Sequence, residues 1–537
     1  LYIHPRKVWT RFSSTMFFPP RLCLERPDEA KAVTDGVSVS RFYEIAGRMD
    51  EPGESRNLDS WELFFMEARK DAGDKTLAKK IAERIIGGED RMLALVARTC
   101  SAQDLLAVKD RMIGSGKIGG KAAGMVVARR IVLERLPELA DRLEPHDSFY
   151  LGTDVFYAYI VHNKLWKLRV RQREPEGYFA LAPALREGIL EGSFPHDIRE
   201  RFTRMLEYYG QAPIIARSSS LLEDSFGNAF AGKYESVFCA NAGTPEDRLA
   251  SLEDAVRRVY ASAMDPSALA YRKKRGLHGQ DEQMAILVQR VSGSLYGDFF
   301  MPAVSGVGYS RNAWRWHPDI EARAGMVRLV IGLGTRAVDR TASDYPRLVS
   351  LDRPDLDPSG SGADRAEHCQ RSVDGIDLAE RTFATKDIEA IVPIIPAWLA
   401  TLLVERDGNA ERSLAERGIF REITIGTCGG ALLERSRFAD ATLLADLGKM
   451  LRALEDEYES PVDVEFTINW ASPGDWRINL LQCRPLQTPK EDEKTAATRK
   501  RSENFSAIPD ERIFLRLSNC VMGPELHARV DVIILID

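Results

Sequence analysis

The sequence predicts an α+β fold in which helices precede and accompany a set of β-strands. Apolar residues recur at helical spacing between residues 61 and 105. Farther along, nearly continuous apolar runs such as 284–291 and 326–334 have the length of buried strands. Two runs on either side of Pro473 and Gly474 predict a β-hairpin within 462–486. This arrangement favours a mixed fold over one built of helices or strands alone.

Changes in composition divide the chain into three parts. Residues 1–105 form an N-terminal extension that is largely helical from about residue 60, and we assign no function to 1–58. Residues 106–487 form the main domain, which carries an insertion near 350–415. Residues 488–537 form a charged linker and a truncated C-terminal segment.

Composition and charge exclude several classes of protein. With 537 residues, of which 44% are hydrophobic and 29% charged, the chain can bury a large core. The net charge of −6 leaves no overall positive charge to attract phosphate backbones, so we expect no nucleic-acid partner. No apolar run approaches the ~20 residues that span a bilayer. Seven scattered cysteines without a CxxC pair indicate a reducing, cytoplasmic location. The chain begins without methionine, and we interpret this as a partial start.

The N-terminal extension carries packing signals rather than chemical ones. Leu77, Ile81 and Ile85 fall on one helical face, and Ser101 with Asp104 forms a capping box before the next helix. We therefore expect helices here that pack against the main domain.

A glycine-rich segment, GSGKIGGKAAGM, begins at Gly114 and precedes an amphipathic run. A helix that starts after glycines presents backbone N–H groups to an anion, and Lys121 would add a positive charge. The segment is not a P-loop, because Ser115 occupies the leading glycine position and Ala122 follows the lysine. A phosphate site and an ordinary glycine-loosened turn both fit the residues alone.

The stretch QAPIIARSSSLLEDSFGNAFAGKYESV, 211–237, is the strongest candidate for a functional segment. An apolar run at 212–216 ends at Arg217 and three serines, and an extended run resumes at Tyr234, which predicts strand, polar loop and strand. Arginine, serine hydroxyls and glycine backbone such as Gly232 suit phosphate oxygens. The alternative is a solvated hairpin loop with an incidental arginine.

Three further segments complete the predicted core. The run MAILVQRV contains Gln289, whose buried amide would pair with an adenine edge or with neighbouring backbone. Segments 305–312 and 326–334 predict further strands of the same sheet. Residues 352–377, rich in Asp, Pro, Gly and Ser, predict a surface loop or a disordered insertion. A helix between Leu443 and Tyr458 then docks on the sheet.

The predicted hairpin VDVEFTINWASPGDWRINLLQCRPL, 462–486, is a second candidate functional segment. Asp463 and Glu465 share one strand face, as do Gln482 and Arg484. A turn at Pro473 and Gly474 places Glu465 opposite Gln482 and Asp463 opposite Arg484. Carboxylate and amide oxygens suit Mg²⁺, and arginine suits phosphate. The alternative is a surface hairpin with one salt bridge.

Together these motifs resemble the nucleotide-binding domain of the phosphoenolpyruvate synthase and pyruvate phosphate dikinase family. The resemblance is carried by IGGKAAGM, by DVEF followed by LQCRP, and by the 217–235 stretch. In that stretch the matching residues are Arg217, Ser218, Ser219, Glu223, Asp224, Phe230, Ala231, Gly232 and Glu235.

The resemblance implies an ATP-grasp-like domain that binds ATP with Mg²⁺ and transfers a phosphoryl group. It implies catalytic roles for Lys121, Arg217 and Arg484, and a metal site at Asp463, Glu465 and Gln482. The implied nucleotide-binding residues are Gly120, Lys121, Arg217, Ser218, Ser219, Gly232, Gln289, Glu465, Gln482 and Arg484. From the sequence alone, we expect alanine at Lys121 or Arg217 to weaken ATP binding and to leave stability almost unchanged.

Full members of that family add a phosphohistidine domain and a pyruvate-binding barrel, and neither motif occurs here. We therefore expect this chain to supply the ATP-binding, phosphoryl-donor half of a dikinase-like enzyme. Its partners would be a phosphohistidine-carrying domain or protein and an acceptor of the pyruvate or phosphoenolpyruvate type. One alternative is a non-catalytic ATP-sensing module that regulates a partner protein. An ATP-grasp ligase fits the motifs less well.

Overall fold

The computed structural model describes residues 60–70, 75–86, 90–223, 232–312, 314–338, 344–356, 358, 369–406, 423–425 and 441–486. The expectations for 1–58, for 488–537 and for Asp224, Phe230 and Ala231 lie outside these residues. No helix in this part of the chain is long and apolar enough to cross a membrane.

The helices are, in chain order, α1 Ser60–Lys70, α2 Lys75–Ile85, α3 Asp90–Thr99, α4 Ala102–Asp110, α5 Gly120–Arg135, α6 Thr153–His162, α7 Trp166–Gln172, α8 Gly177–Ala180, α9 Ala182–Glu191, α10 His196–Tyr209, α11 Pro245–Ser262, α12 Pro266–Lys274, α13 Thr335–Val338, α14 Ile388–Ile391, α15 Ala397–Leu403 and α16 Ala441–Tyr458. The strands are β1 Met112–Ile113, β2 Ser148–Leu151, β3 Ile214–Ser220, β4 Ser236–Cys239, β5 Met284–Arg290, β6 Ser294–Tyr296, β7 Phe299–Met301, β8 Val304–Tyr309, β9 Met326–Ile331, β10 Arg347–Ser350, β11 Ser372–Asp377, β12 Thr382–Asp387, β13 Val404–Arg406, β14 Ile423–Ile425, β15 Val462–Ser472 and β16 Asp475–Pro485. This mixture of helices and sheets confirms the predicted α+β class.

The N-terminal helices form as their sequence pattern predicts. Leu77, Ile81 and Ile85 are buried on one face of α2, and the capping box of Ser101 and Asp104 begins α4. Their apolar faces belong to the same buried cluster as α5, α16 and the hairpin of β15 and β16. The extension therefore shares its hydrophobic core with the main domain.

The first sheet has the strand order β1-β2-β5-β3-β4. Its central strand β5 is buried along almost its whole length, as the apolar run predicts. However, β5 pairs antiparallel with both β2 and β3, so the run indicates burial without indicating strand direction. One side of this sheet packs on α6, α10 and α11 through a second buried cluster.

Strands β8 and β9 do not continue the first sheet, so the prediction of one common sheet was wrong. They belong to a second sheet of order β10-β9-β8-β15-β16. After β5 the chain passes through the short hairpin of β6 and β7, which joins a third sheet of order β12-β11-β7-β6. The apolar content of β8 and β9 reflects burial, and burial does not tell which sheet a strand joins.

The segment 352–377 is also not a loop throughout, because its last six residues form β11. Val373 and Ile376 of this strand are buried, and β11 pairs with both β7 and β12. Asp374 is buried as well and accepts hydrogen bonds from two threonine hydroxyls, which explains how an acidic residue is accommodated in a strand.

The β15–β16 hairpin has the predicted register at its functional end, where Glu465 pairs with Gln482 and Asp463 with Arg484. Two irregularities lie between these pairs and the turn. One adds Ala471 to β15 and the other adds Leu481 to β16, so their effects on the register cancel.

Candidate functional site

A cavity of about 370 Å³ lies between the first and second sheets. One part of its wall is charged and contains Lys121, Arg217, Glu465 and Arg484. Another part is apolar, and its members are Ile215, Phe238, Val291 and Leu333. A site with an apolar wall and a few convergent charged groups is suited to a ligand that has both a ring and an anionic group.

Arg217 links the two sheets across this cavity. It stands on β3 of the first sheet, and its Nη2 donates to Glu465 Oε2 at 2.5 Å and to Gln482 Oε1 at 2.9 Å on the second sheet. Its Nη1 donates to the backbone carbonyl of Leu481 at 3.2 Å. Leu481 is the extra residue of β16 and has no partner on β15. In a regular ladder its carbonyl would bond within the sheet, whereas here it accepts from Arg217.

Lys121 is buried beside Ser218 and Glu223, at the end of β3 and just after it. Its Nζ donates to Ser218 Oγ at 2.8 Å and to Glu223 Oε1 at 3.0 Å. Glu223 also accepts from the Ser218 hydroxyl at 2.9 Å and from the backbone N–H of Ser220 at 2.8 Å. The lysine is therefore held at the cavity by a buried carboxylate.

The serines lie on a strand rather than in a loop, because β3 continues past Arg217 to Ser220. This corrects the predicted strand end. The ladder with β5 satisfies their backbone, and their hydroxyls have buried partners. Ser219 Oγ donates to the carbonyl of Ile118 at 2.7 Å and accepts from the N–H of Ala122 at 3.1 Å, and so occupies an N–H group in the first turn of α5.

The glycines before α5 allow this close approach. Gly119 has a φ of 79°, and a Cβ there would lie 1.5 Å from the carbonyl oxygen of Ser219. A Cβ on Gly120 would lie 2.0 Å from the carbonyl oxygen of Glu223. Gly120, Ser218 and Ser219 do not line the cavity, whereas Gly232 does. Ser218 bonds Lys121 directly, and Gly120 and Ser219 allow α5 to pack closely against the end of β3.

Glu465 is the carboxylate of the charged wall. Burial alone would raise the pKa of its carboxyl group, but the positive charges of Arg217, Arg484 and Lys121 outweigh burial and lower this pKa below its usual value. The side chain therefore stays ionised at neutral pH, as a metal ligand must.

The other predicted metal ligands are held by arginines. Both oxygens of Asp463 accept from Arg484 Nε, at 2.7 and 3.0 Å, and neither Asp463 nor Gln482 lines the cavity. Gln482 is buried behind Arg217. Within the described residues no group of three acidic, histidine or cysteine side chains could hold a metal ion without further ligands.

Gln289 lines the cavity, and both atoms of its amide have protein partners. Its Oε1 accepts from Arg217 Nη1 at 3.5 Å, and its Nε2 lies 3.0 Å from Met125 Sδ and 3.5 Å from Ser148 Oγ. These partners are side chains rather than the neighbouring backbone that the sequence suggested, and the adenine contact stays a prediction.

Sequence reasoning missed a buried network around Glu282. Its carboxylate accepts from the hydroxyls of Ser220 and Tyr234, and Arg272 Nη1 donates to it at 2.9 Å. Burial raises the pKa of the Tyr234 hydroxyl well above its usual value, so tyrosine remains a donor. Glu282 precedes β5 in an ordinary polar sequence, and no motif pointed to it.

A comparison with protein-family models places these residues in a family. The model of the pyruvate phosphate dikinase AMP/ATP-binding domain matches residues 115–505. The chain belongs to this family. The match includes Lys121, Arg217 and the whole β15–β16 hairpin, so the AMP/ATP-binding domain of this family contains the charged wall of the cavity.

Of the three curated relatives that follow, two are named as phosphotransferases and one as a phosphoenolpyruvate synthase. The chain is 26% identical over 343 residues to "Uncharacterized phosphotransferase YvkC" of Bacillus subtilis. The aligned residues cover 63% of this chain and 32% of the relative. It is 23% identical over 300 residues to "Probable phosphoenolpyruvate synthase" of Archaeoglobus fulgidus, covering 55% and 30%. A third relative, "Rifampicin phosphotransferase" of Streptomyces sviceus, is 26% identical over 181 residues, covering 32% and 19%. The chain thus spans about a third or less of the relatives that it matches.

Proposed function

We propose that this chain binds Mg·ATP in the cavity between its first two sheets and supplies the phosphoryl-donor half of a phosphotransferase of the phosphoenolpyruvate synthase or pyruvate phosphate dikinase type. The observation that carries this proposal is the convergence of Lys121, Arg217 and Arg484 with Glu465 and Gln482. These residues come from three separate segments, and the same three segments carry the resemblance to the family.

Each part of the wall has a distinct task in this proposal. Lys121, Arg217 and Arg484 hold the phosphate oxygens and neutralise charge that redistributes during transfer. Gly120, Ser218 and Ser219 position the first two of these cations, and Gly232 borders the phosphates. Gln289 and the apolar residues Phe238, Val291 and Leu333 contact the base and ribose. The domain would have an ATP-grasp-like architecture across residues 106–487.

Glu465 and Gln482 fit a magnesium ion bound through nucleotide phosphates. Magnesium in such sites takes one or two protein oxygens and completes its shell with phosphate and water. Glu465 supplies an ionised oxygen at the cavity, and the Gln482 oxygen lies behind it on the paired strand. The ion would neutralise phosphate charge when bound. Asp463 would act through Arg484 rather than as a direct ligand.

The ion pair between Arg217 and Glu465 implies that metal and nucleotide bind together. Arg217 is assigned to phosphate and Glu465 to the metal, yet each is the other's partner at 2.5 Å. Phosphate alone would leave Glu465 near an added negative charge, and metal alone would leave Arg217 near an added positive charge. Mg·ATP replaces one ion pair by two, so we expect ATP and Mg²⁺ to increase each other's affinity.

The remaining assignments belong to the same proposal. The main domain would work with a phosphohistidine-carrying domain or protein and an acceptor of the pyruvate or phosphoenolpyruvate type, in the cytoplasm. Residues 1–105 would form the helical extension, residues near 350–415 an insertion, and 488–537 a linker and C-terminal segment.

Glu465→Gln tests the proposal, because it removes the carboxylate charge at nearly constant size. We expect the Mg²⁺ concentration needed for ATP binding to rise, and ATP turnover to fall more than ATP affinity. ATP affinity would be titrated against Mg²⁺ alongside turnover, with the exposed Glu389→Gln on α14 as control. An unchanged Mg²⁺ requirement would refute the metal role. Nucleotide binding without turnover, even with histidine-protein acceptors and γ- or β-labelled ATP, would favour an ATP-sensing module.

A further inference from the structure

The last turn of α2 contacts the glycine-rich segment that leads to Lys121. Helix α2 lies before residue 115, where the match to the family model begins, so it is outside the matched AMP/ATP-binding domain. Its partners in the segment are Lys117 and Ile118, which come shortly before Lys121. An element outside the matched domain therefore touches the segment that carries a proposed phosphate ligand.

Two hydrogen bonds join the end of α2 to this segment. The N–H of Ile118 donates to the carbonyl of Ile85 at 2.8 Å. The ammonium group of Lys117 donates to the carbonyl of Glu83. The last carbonyl groups of a helix have no partner within the helix, and the negative end of its dipole favours a cation there. Lys117 and Ile118 therefore cap α2 from another part of the chain.

The contact is withdrawn from water. Ile118 and Ile85 are buried in one apolar cluster, together with Ile81. Lys117 is partly buried, and burial lowers the pKa of its ammonium group to about 8, while the charge of Glu83 acts in the opposite direction. A desolvated cation gains most from a charge-assisted hydrogen bond, so the Glu83 carbonyl is a strong anchor for Lys117.

The segment is anchored on its other side to the first sheet. The carbonyl of Ile118 accepts from Ser219 Oγ on β3 at 2.7 Å. Gly119 and Gly120 follow, and a Cβ on either would collide with a backbone carbonyl oxygen. The two peptide groups of Ile118 are thus held between α2 and β3, and two closely packed glycines connect them to Lys121.

We infer that the N-terminal extension controls the affinity of the cavity for nucleotide phosphates, because the end of α2 fixes Lys117 and Ile118 and thereby positions Lys121. This inference rests on the proposed function, in which Lys121 holds a phosphate. Coupling between two sites is reciprocal: displacement of α2 weakens ATP binding, and bound ATP stabilises the contact of α2 with the segment. The extension is then a regulatory element of the nucleotide site and not only a part of its core.

The test combines calorimetry with hydrogen–deuterium exchange on the full chain. Isothermal titration calorimetry measures the affinity for a non-hydrolysable ATP analogue with saturating Mg²⁺, and exchange is followed at peptides from α2 and from 114–121. Lys117→Met removes the ammonium group at similar length, and Lys117→Arg keeps the charge and the donor. Lys79→Met, at an exposed lysine on the same helix, is the control. Thermal unfolding verifies that each variant is folded.

We expect the nucleotide analogue to slow exchange in 114–121 and in α2 of the wild type, because local opening becomes less frequent when the contact is stabilised. Lys117→Met should weaken analogue binding by about tenfold or more, the usual effect of losing a hydrogen bond to a charged group. Its 114–121 peptides should exchange faster without ligand. Lys117→Arg should bind nearly as tightly as the wild type, and Lys79→Met should bind equally. A Lys117 that served stability alone would lower the melting temperature and leave the affinity and the response of α2 unchanged.

Analogue binding of equal affinity in the wild type and Lys117→Met would overturn the inference. So would exchange in α2 that the nucleotide leaves unchanged, or a control that loses as much affinity as Lys117→Met. If the wild type does not bind the analogue, the proposed function fails instead, and ligand-free exchange still decides whether Lys117 holds the segment. If Lys117→Met does not fold, the response of α2 to the nucleotide in the wild type decides alone, since it needs no variant.

Discussion

Arg217 and Glu465 provide a direct test of how the two sheets are held around the cavity. Arg217→Met keeps most of the side-chain volume and removes the guanidinium. Glu465 would then lose its ion-pair partner, and the oxygens of Gln482 and Leu481 would each lose a donor. The ligand-free protein should therefore be strongly destabilised, contrary to the expectation from sequence alone.

The size of the effect follows from burial. The Arg217 side chain is 9% exposed and that of Glu465 is 15% exposed, so water can replace little of the lost contact. Removing one partner of a buried ion pair costs about 3–5 kcal/mol, because the other charge stays buried without compensation. Glu465→Gln in the Arg217→Met background removes that charge. The double variant should then be more stable than Arg217→Met alone.

Urea unfolding followed by tryptophan fluorescence measures these differences in the free energy of unfolding, and the four proteins form a double-mutant cycle. Arg336→Met, at a second buried ion pair that shares no partner with Arg217, is a control for the loss of any buried arginine. An Arg217→Met change that costs less than about 1 kcal/mol, or strictly additive effects in the cycle, would refute the reasoning. Arg217 would then contribute to ligand binding without holding the sheets together.

Two further outcomes can be measured on the same protein. Burial lowers the pKa of His146 to about 3, so the unfolded chain takes up a proton below its ordinary pKa of about 6.5 while the folded protein does not. Stability should therefore fall by about 2 kcal/mol between pH 8 and pH 5 because of this residue, and His146→Gln should remove that part of the pH dependence in urea unfolding. Gly119→Ala should lower the melting temperature and abolish ATP binding, since its Cβ would collide with the Ser219 carbonyl. Gly279→Ala, where a Cβ meets nothing within 4 Å, should change neither, and a neutral Gly119→Ala would contradict the close packing.

The sequence predicted local features of this fold well because they depend on local chemistry. The apolar stripe of α2 and the capping box at Ser101 are short-range signals, and both are confirmed. The sheet to which β8 belongs was predicted wrongly, since the choice between two sheets depends on contacts far away in the chain. The predicted hairpin register is correct at Glu465. It is correct only because two strand irregularities, which no residue type in the sequence predicts, shift the register in opposite directions.

In the candidate site too, the sequence predicted individual residues but not the long-range contacts between them. The motifs located Lys121, Arg217 and Glu465, and the structure brings them to one cavity. They did not show that Arg217 and Glu465 contact each other, because 248 residues separate them. Nor did they show that Ser219 caps α5, since a serine next to a phosphate motif suggests a ligand contact before a structural one.

The network of Glu282 has a consequence for how this domain can vary. Ser220 and Tyr234 stand on either side of segment 221–233, and both donate to the same carboxylate. The two ends are therefore joined through Glu282, which lies outside the segment and pairs with Arg272. Exchanges between these two ends that spare Glu223, which holds Lys121, and Gly232, which lines the cavity, should therefore leave the ends in place. Arg217, three residues before Ser220, keeps its position when they change. Changes of this kind would alter the contacts of the segment without rebuilding the charged wall of the cavity.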